Sequence, residues 1–313
     1  MFFIYITILF VGFSCEGSLL ESFVNPCAPS EEGAPSLTHV ELWGKCYEIA
    51  TTTVLDHDNT PSSDSIDTLD VNIGRLINLE VIHLSGYSLS GPIPLELGNL
   101  INLRALHLQD NQLTDPIPET IGSLTNLRIL DLNNNELTDT IPSSIGQLTE
   151  LRKFLLSNNQ LTGELPAEIT NLTHLVELTV SNNQLTGPVP SGIGELVHLK
   201  TLYLNGNQFT HTYCADLCKK LPGKLQDVDI RLDNNTLCPP YPACIDEWLL
   251  EDQDTSGCEY IYECCQEDID LFGECYEMIS VEHFNEENKQ LQGEFPENFA
   301  ELVNLRYFNV NSN

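Results

Sequence analysis

The sequence predicts an α/β solenoid, in which each coil contributes one short β-strand to a shared parallel sheet. The first observation is a regular interval, because six leucines recur every 24 residues, at Leu76, Leu100, Leu124, Leu148, Leu172 and Leu196. The second observation is an asparagine that recurs among the leucines of these units. A unit of this length cannot bury its own apolar face, so neighbouring units must stack, and the stack presents a long surface for binding.

Within one unit, the leucine spacing predicts a short strand followed by a return segment. Leu106 and Leu108 lie on the inward face of that strand, because side chains alternate between its two faces. An asparagine among these leucines needs partners, since an unpaired buried amide costs about 1–3 kcal/mol. We therefore predict an internal hydrogen-bond ladder of equivalent asparagines: Asn111, Asn135, Asn159, Asn183 and Asn207. Tyr87 takes this position in the first unit, so the ladder should begin one coil later.

Each unit continues with the pattern L-[TS]-[GD]-x-[IVL]-P, as in LTGELP at residues 161–166. Together with the preceding leucines and asparagine, it resembles the plant-type extracellular leucine-rich repeat over residues 76–210. The resemblance implies a right-handed superhelix with a parallel β-sheet on its concave face, a second short strand before a tight helical turn, and disulfide-stapled caps. Asp115 and Asp139 depart from the family's usual glycine, which leaves the turn geometry open there. The family includes receptors, receptor-like proteins and inhibitors of cell-wall-degrading enzymes.

The N-terminal sequence predicts a secreted chain. Residues 1–17 are interpreted as a signal peptide, because the apolar run at residues 1–13 is shorter than the ~20 residues of a membrane-spanning helix. No later run approaches that length, so we predict a mature chain without membrane insertion, secreted or on the extracellular cell surface. Residues 18–75 are predicted to form a cysteine-containing N-terminal cap.

The region after the repeats contains a second level of repetition. Residues 211–257 are predicted to form an irregular repeat and a cysteine-rich C-terminal cap. The string LWGKCYE at residues 42–48 then returns as LFGECYE at residues 271–277. We therefore predict that residues 258–313 form a second cap and the start of a second, incomplete repeat array.

The cysteines and the glycosylation sequences agree with an oxidising compartment. Of the 11 cysteines, all but Cys15 follow the signal peptide, and they lie outside the regular repeats. Cys27 is expected to pair with Cys46, and the connectivity of the others stays open. The predicted disulfide cysteines are Cys27, Cys46, Cys214, Cys218, Cys238, Cys244, Cys258, Cys264, Cys265 and Cys275. Asn171 and Asn234 begin N-glycosylation sequences.

The charge balance restricts the partners. The chain has 13 Lys and Arg against 46 Asp and Glu, a formal net charge of −33, which argues against nucleic acid and anionic membranes. The scarce basic residues nevertheless share one phase of the repeat, which would place a local positive stripe on the concave face. Such a stripe suits an acidic peptide or an anionic polysaccharide. In the alternative interpretation, these residues only solvate the strand edge.

We therefore predict that the concave face binds a protein, peptide or polysaccharide ligand. The predicted contacts are Arg104, His107, Arg128, Asp131, Arg152, Lys153, Leu155, Lys200 and Tyr203. The alternative function is that of a structural or adhesive protein of the cell surface or wall, including the ectodomain of a longer receptor.

Catalysis has little support in the sequence. The candidate acid–base residues are Asp56, His57, Asp58, His83 and His107. No nucleophile motif, phosphate loop or zinc signature accompanies them, so neither an enzyme nor a cofactor is predicted.

A calcium site is one further hypothesis, which the sequence leaves open. The residues at positions 1, 3, 5, 6 and 12 of an EF-hand-like loop are Asp252, Asp254, Ser256, Gly257 and Glu263. Cys258 and Glu259 do not fit that loop, and no partner loop is present. No metal ligand is therefore predicted.

Overall fold

The computed structural model describes residues 38–56, 58–61, 66–212, 228–237 and 251–256, together with the backbone of short strands between residues 268 and 309. None of the helices in these ranges is long and apolar enough to cross a bilayer. The predicted signal peptide, residues 1–17, lies outside the described residues. So do eight of the predicted disulfide cysteines: Cys27, Cys214, Cys218, Cys238, Cys244, Cys258, Cys264 and Cys265.

The strands of the described residues are short, with two to six residues each. In chain order they are β1 (His39–Leu42), β2 (Lys45–Glu48), β3 (Val54–Leu55), β4 (Val81–His83), β5 (Ser90–Pro92), β6 (Ala105–His107), β7 (Gln112–Thr114), β8 (Ile129–Asp131), β9 (Lys153–Leu155), β10 (Thr162–Glu164), β11 (Glu177–Thr179), β12 (Gln184–Val189), β13 (Thr201–Tyr203), β14 (Gln208–Thr212), β15 (Asp229–Arg231), β16 (Asp268–Leu271), β17 (Glu274–Glu277), β18 (His283–Asn285) and β19 (Tyr307–Asn309).

One large sheet contains eight of these strands, in the order β15-β13-β11-β9-β8-β6-β4-β3. All neighbours in it are parallel, and each coil pairs in register with the next, as Leu106 does with Leu130. The central residue of each strand points inward and is buried, from Ile82 to Ile230. This arrangement confirms the predicted solenoid, in which stacked aliphatic side chains form one continuous core.

The return segments are 3₁₀-helices. They span Val71–Arg75, Leu95–Asn99, Glu119–Ser123, Ser143–Gln147, Ala167–Asn171 and Ser191–Glu195. A proline precedes most of them and fixes the backbone for a tight turn, as Pro94 does with φ −69°. The coils then approach so closely that a Cβ at Gly98 would lie 2.6 Å from the carbonyl oxygen of Thr120. This close approach explains why four successive coils have glycine at this position, namely Gly74, Gly98, Gly122 and Gly146.

The predicted asparagine ladder is present. In its first rung, Asn111 donates to the carbonyl oxygens of Leu84 and Leu108, both at 2.9 Å, and accepts from the N–H of Leu89 at 3.0 Å. The same three bonds recur at each predicted position. The ladder continues one rung beyond the prediction, to Asn235, which is 3% exposed. As predicted, it begins one coil late, because Tyr87 is buried in the first unit and its hydroxyl group lies 2.7 Å from Thr60 Oγ1.

A glutamine then takes the place of the next rung. Gln253 Nε2 donates to the carbonyl oxygen of Leu232 at 2.9 Å, and its Oε1 accepts from the N–H of Leu237 at 3.1 Å. Asp252, just before it, has φ 56°, as Asn234 has φ 53° one coil earlier. Residues 251–256 therefore continue the backbone pattern of the coils. They include the first three residues of the hypothetical calcium loop, Asp252, Asp254 and Ser256. Gly257 and Glu263 of that loop lie outside the described residues.

The second, smaller set of parallel strands lies after the ladder positions. β5 pairs with β7, and β10 pairs with β12, which pairs with β14. Asp115 and Asp139 lie between these two groups of strands. Their φ angles are 66° and 64°, close to the φ of 73° at the equivalent Gly163. The aspartates thus keep the turn geometry of glycine, in a left-handed conformation that Asp tolerates better than most residues.

The N-terminal cap is an antiparallel hairpin. In it, Glu41 of β1 lies opposite Cys46 of β2. Cys46 is disulfide-bonded, but no other cysteine side chain is described, so its pairing with Cys27 stays a prediction. The hairpin of β16 and β17 has the same register, with Asp270 opposite Cys275. β18 pairs in parallel with β19. The backbone therefore repeats where the sequence repeats, while the predicted boundaries of the segments stay predictions.

The ladder generates a stability prediction. Asn159→Ala should lower the free energy of unfolding by about 3 kcal/mol, because two carbonyl oxygens and one N–H would lose their buried partner. Asn158→Gly is the matched control: it removes an amide whose hydrogen bonds to Asn134 and Asn182 are exposed to water, and it keeps a residue suited to φ 58°. We expect the control to change stability by less than about 0.5 kcal/mol. Urea denaturation of both variants measures the difference, and equal losses would contradict the ladder's role.

A second prediction concerns Gln253. Gln253→Ala should lower the free energy of unfolding by about 1–3 kcal/mol, because it leaves the Leu232 carbonyl group and the Leu237 N–H unpaired. Asp254→Asn, at an exposed neighbour, should have a far smaller effect. Both melts are recorded with calcium and with chelator. Stabilisation by calcium that Asp254→Asn abolishes would favour the loop hypothesis over a ladder rung.

Candidate functional site

The candidate site is the solvent-facing side of the large sheet, termed here the sheet face. It consists of the outward side chains of the strands and of the residue that precedes each strand. One row is formed by Glu80, Arg104, Arg128, Arg152, Val176 and Lys200. A second row runs Val81, Ala105, Ile129, Lys153, Glu177, Thr201 and Asp229. A third runs His83, His107, Asp131, Leu155, Thr179, Tyr203 and Arg231.

The rows are in register because the backbone of each coil is bonded to the next. The N–H of Arg128 donates to the carbonyl oxygen of Arg104 at 2.8 Å, and the N–H of Arg152 donates to that of Arg128 at 2.8 Å. Equivalent side chains therefore stand one strand spacing apart, about 4.8 Å. The three arginines and Lys200 are exposed, and they form the predicted positive stripe, termed here the basic row.

Members of the basic row differ in their partners. Arg104 Nε lies 3.5 Å from Glu80 Oε2. In the next row, Lys153 Nζ lies 2.7 Å from Glu177 Oε2. Arg128, Arg152 and Lys200 make no ion pair within the described ranges. Two adjacent guanidinium groups are thus available for an external anion, on a chain with a formal net charge of −33.

The third row contains two histidines and an aspartate in successive coils. The rings of His83 and His107 lie 5.1 Å apart, centroid to centroid. Burial lowers the pKa of His107, and the nearby His83 and Lys153 lower it further. Burial raises the pKa of Asp131, although its hydrogen bond from the Asn133 N–H opposes this. Both shifts favour the uncharged form at these positions.

A cluster at β15, the last strand of the large sheet, includes two residues that were not predicted as contacts, Asp229 and Arg231. The Tyr203 hydroxyl group donates to Asp229 Oδ2, and the guanidinium carbon of Arg231 lies 4.8 Å from the centroid of the Tyr203 ring. The hydrogen bond to Asp229 is the main reason that the pKa of Tyr203 is raised. An irregular repeat was predicted over residues 211–257, and the strand and asparagine spacing of VDIRLDNN at residues 228–235 could have placed both side chains on the sheet face.

Most of the predicted contact residues lie on the accessible part of the sheet face. Leu155 is the exception, since it is 8% exposed and offers little area to a ligand. Of the proposed acid–base residues, His83 and His107 lie side by side, whereas Asp56 Oδ1 accepts from the N–H groups of Asp58 and Asn59 at 3.1 and 3.2 Å, which closes a turn. His57 lies outside the described residues. Within the described ranges, no three His, Cys, Asp or Glu residues are arranged to hold a metal ion.

The predicted glycosylation residues are both exposed. Asn171 ends the 3₁₀-helix Ala167–Asn171, away from the strands of the large sheet. Asn234 follows β15, and its Nδ2 donates to Asp233 Oδ2 at 3.1 Å. A glycan on Asn171 would leave the sheet face clear, and glycosylation at either residue stays a prediction.

A shallow cavity of about 260 Å³ lies between the N-terminal cap and the first strand of the large sheet. Its lining includes Lys45, Tyr47 and Asn59. Lys45 Nζ and the Tyr47 hydroxyl group both donate to the Asn59 carbonyl oxygen, the latter at 3.0 Å. Burial raises the pKa of Tyr47 to about 12. Because these side chains are bonded to Asn59, within the predicted cap, we assign the cavity to the packing of the cap and not to a ligand site.

Known proteins provide independent evidence on the family. A family model described as a leucine-rich repeat region matches residues 62–252, more than half of the chain. No curated protein matches the sequence.

Two solved structures support the same assignment. The ectodomain of the Arabidopsis thaliana receptor kinase GASSHO1/SCHENGEN3, in complex with CASPARIAN STRIP INTEGRITY FACTOR 2, is 30% identical, with a TM-score of 0.54, and the match covers 78% of this chain and 28% of that one. The ectodomain of the Arabidopsis receptor kinase HAESA, in complex with an N-terminally extended IDA peptide hormone, is 31% identical, with a TM-score of 0.53, and the match covers 59% of this chain and 31% of that one.

This chain spans less than a third of the length of either ectodomain. The family match, the register of the coils and these two structures agree with one another. The chain belongs to the leucine-rich repeat family, and its repeats are of the plant-type extracellular kind.

Proposed function

We propose that this protein is an extracellular recognition module that binds an acidic peptide segment along the sheet face, without catalysis. The observation that carries the proposal is the pair of adjacent guanidinium groups of Arg128 and Arg152, which make no ion pair with any described residue. An extended peptide laid across parallel strands would meet equivalent side chains at the strand spacing, and its carboxylates would accept charge-assisted hydrogen bonds from the arginines.

The rows next to the arginines support a peptide ligand. Arg104 and Lys153 are already bonded to Glu80 and Glu177, so within the described residues the cations of these rows that are left for a partner are Arg128, Arg152 and Lys200. Thr201 and Tyr203 extend the accessible surface towards the last coil with hydroxyl and aromatic groups. Tyrosine and arginine are the residue types that carry much of the binding energy in protein interfaces.

The structural neighbours point in the same direction. HAESA was solved with a peptide hormone, and GASSHO1/SCHENGEN3 was solved with a factor bound to its ectodomain. Both are leucine-rich repeat ectodomains, which supports an extracellular location and a protein or peptide partner for this chain. A polysaccharide is the second candidate that the basic row would accommodate, and the experiment below separates the two.

The test uses a fluorescent decapeptide of aspartate as a model acidic ligand. Arg128→Gln with Arg152→Gln should weaken its binding about tenfold, because two charge-assisted contacts are lost. Fluorescence anisotropy with the full chain measures the affinity. The matched control is Thr125→Glu with Thr149→Glu, which makes the same change in net charge at exposed positions of the same two coils, outside the strands.

The control should bind nearly as well as the unmodified chain, since its charges lie away from the sheet face. Equal weakening by both double variants would show a general charge effect and contradict the proposed site. Failure of the peptide to bind, with binding of a sulfated glycan that depends on Arg128 and Arg152, would replace the peptide with a polysaccharide.

A further inference from the structure

Three titratable side chains form a continuous line at the first coils of the sheet face. His83, His107 and Asp131 are paired in register across β4, β6 and β8. Asp56 follows β3, whose Leu55 pairs with Ile82, the residue before His83. Two imidazoles thus stand side by side, with the carboxylate of Asp131 in the next coil.

The carboxylates around the histidines are engaged with other groups. Asp56 Oδ1 accepts from two backbone N–H groups, and Asp131 Oδ1 accepts from that of Asn133. The charged residues that face this line from its own and the adjacent coils are Asp56, Asp58, Glu80, Arg104, Asp110, Arg128, Asp131, Arg152, Lys153 and Glu177. Glu80 and Glu177 are paired with Arg104 and Lys153.

The separation of the two rings has a direct electrostatic consequence. At 5.1 Å between centroids, two imidazolium ions repel each other, so the second proton is taken up at a cost. Burial and the neighbouring Lys153 oppose that proton as well, and they lower the pKa of His107. An anion placed over the pair removes the repulsion, which means that anion binding and proton uptake favour each other.

We infer that His83 and His107 form a pH switch in the proposed binding site, through which the sheet face holds an acidic ligand more tightly in acid than at neutral pH. The inference rests on the proposed function. Histidine gains positive charge as the pH falls from about 8 to about 5. Because burial raises the pKa of Asp131, this carboxylate also loses its negative charge sooner than an ordinary Asp in acid. Both changes strengthen anion binding as the pH falls.

The experiment measures the affinity of the same aspartate decapeptide at about pH 5 and about pH 7.5, a range over which free aspartate stays ionised. The full chain should bind about fivefold more tightly at the lower pH. His83→Gln with His107→Gln should lose most of the pH dependence, whatever its affinity at about pH 7.5. The matched control is His174→Gln with His198→Gln, an exposed imidazole pair that lies outside the strands, with ring centroids 6.3 Å apart.

The control should keep the full pH dependence. The switch would be overturned if Arg128→Gln with Arg152→Gln abolishes binding while His83→Gln with His107→Gln still binds with the full pH dependence. That outcome would leave the proposed function standing. No binding of the peptide at either pH would overturn both. If the double histidine variant fails to fold, His107→Gln alone decides, since it leaves only one imidazole and should reduce the pH dependence by about half or more.

Discussion

The fold depends on how the solenoid satisfies polar backbone groups that its leucine core removes from water. Each coil turns sharply after its strand, and the carbonyl and N–H groups at that turn have no sheet partner of their own. A single asparagine per coil binds three of them and also bridges to the coil before, as Asn111 does with Leu84, Leu89 and Leu108. Because each rung connects two coils, the ladder both compensates the buried groups and sets the register between coils.

The regular part of this architecture was predictable, because it follows from periodicity alone. The leucine interval predicted the stacked strands, and the recurrent asparagines predicted the ladder with its late start at Tyr87. The end of the ladder was not predicted. Asn235 lies in a coil whose spacing departs from the regular interval, and Gln253 is a different residue with a longer side chain that makes two of the three bonds of a rung. The hydrogen bonds thus continue at these two positions although the 24-residue interval does not.

The sequence predicted which residues share a row of the candidate site, but not which of them are buried or already bonded to a neighbour. Register placed Arg104, Arg128, Arg152 and Lys200 in one row, as the sequence indicated. The same row places Glu80 beside Arg104, but only side-chain geometry shows that these two are bonded while Arg128 and Arg152 make no ion pair within the described residues. Likewise, Leu155 and Tyr203 share a row, but the first is buried and the second interacts with Asp229 and Arg231. Side-chain length and local packing decide these differences.

The two hairpins with a common register show that one backbone arrangement is compatible with two different sequences. The same interval separates Glu48 from the start of β3 and Glu277 from the start of β18, although the residues between differ. In both cases the strand that follows pairs in parallel with the next coil. The spacing between a hairpin and its first parallel strand therefore tolerates substitution of the residues that connect them.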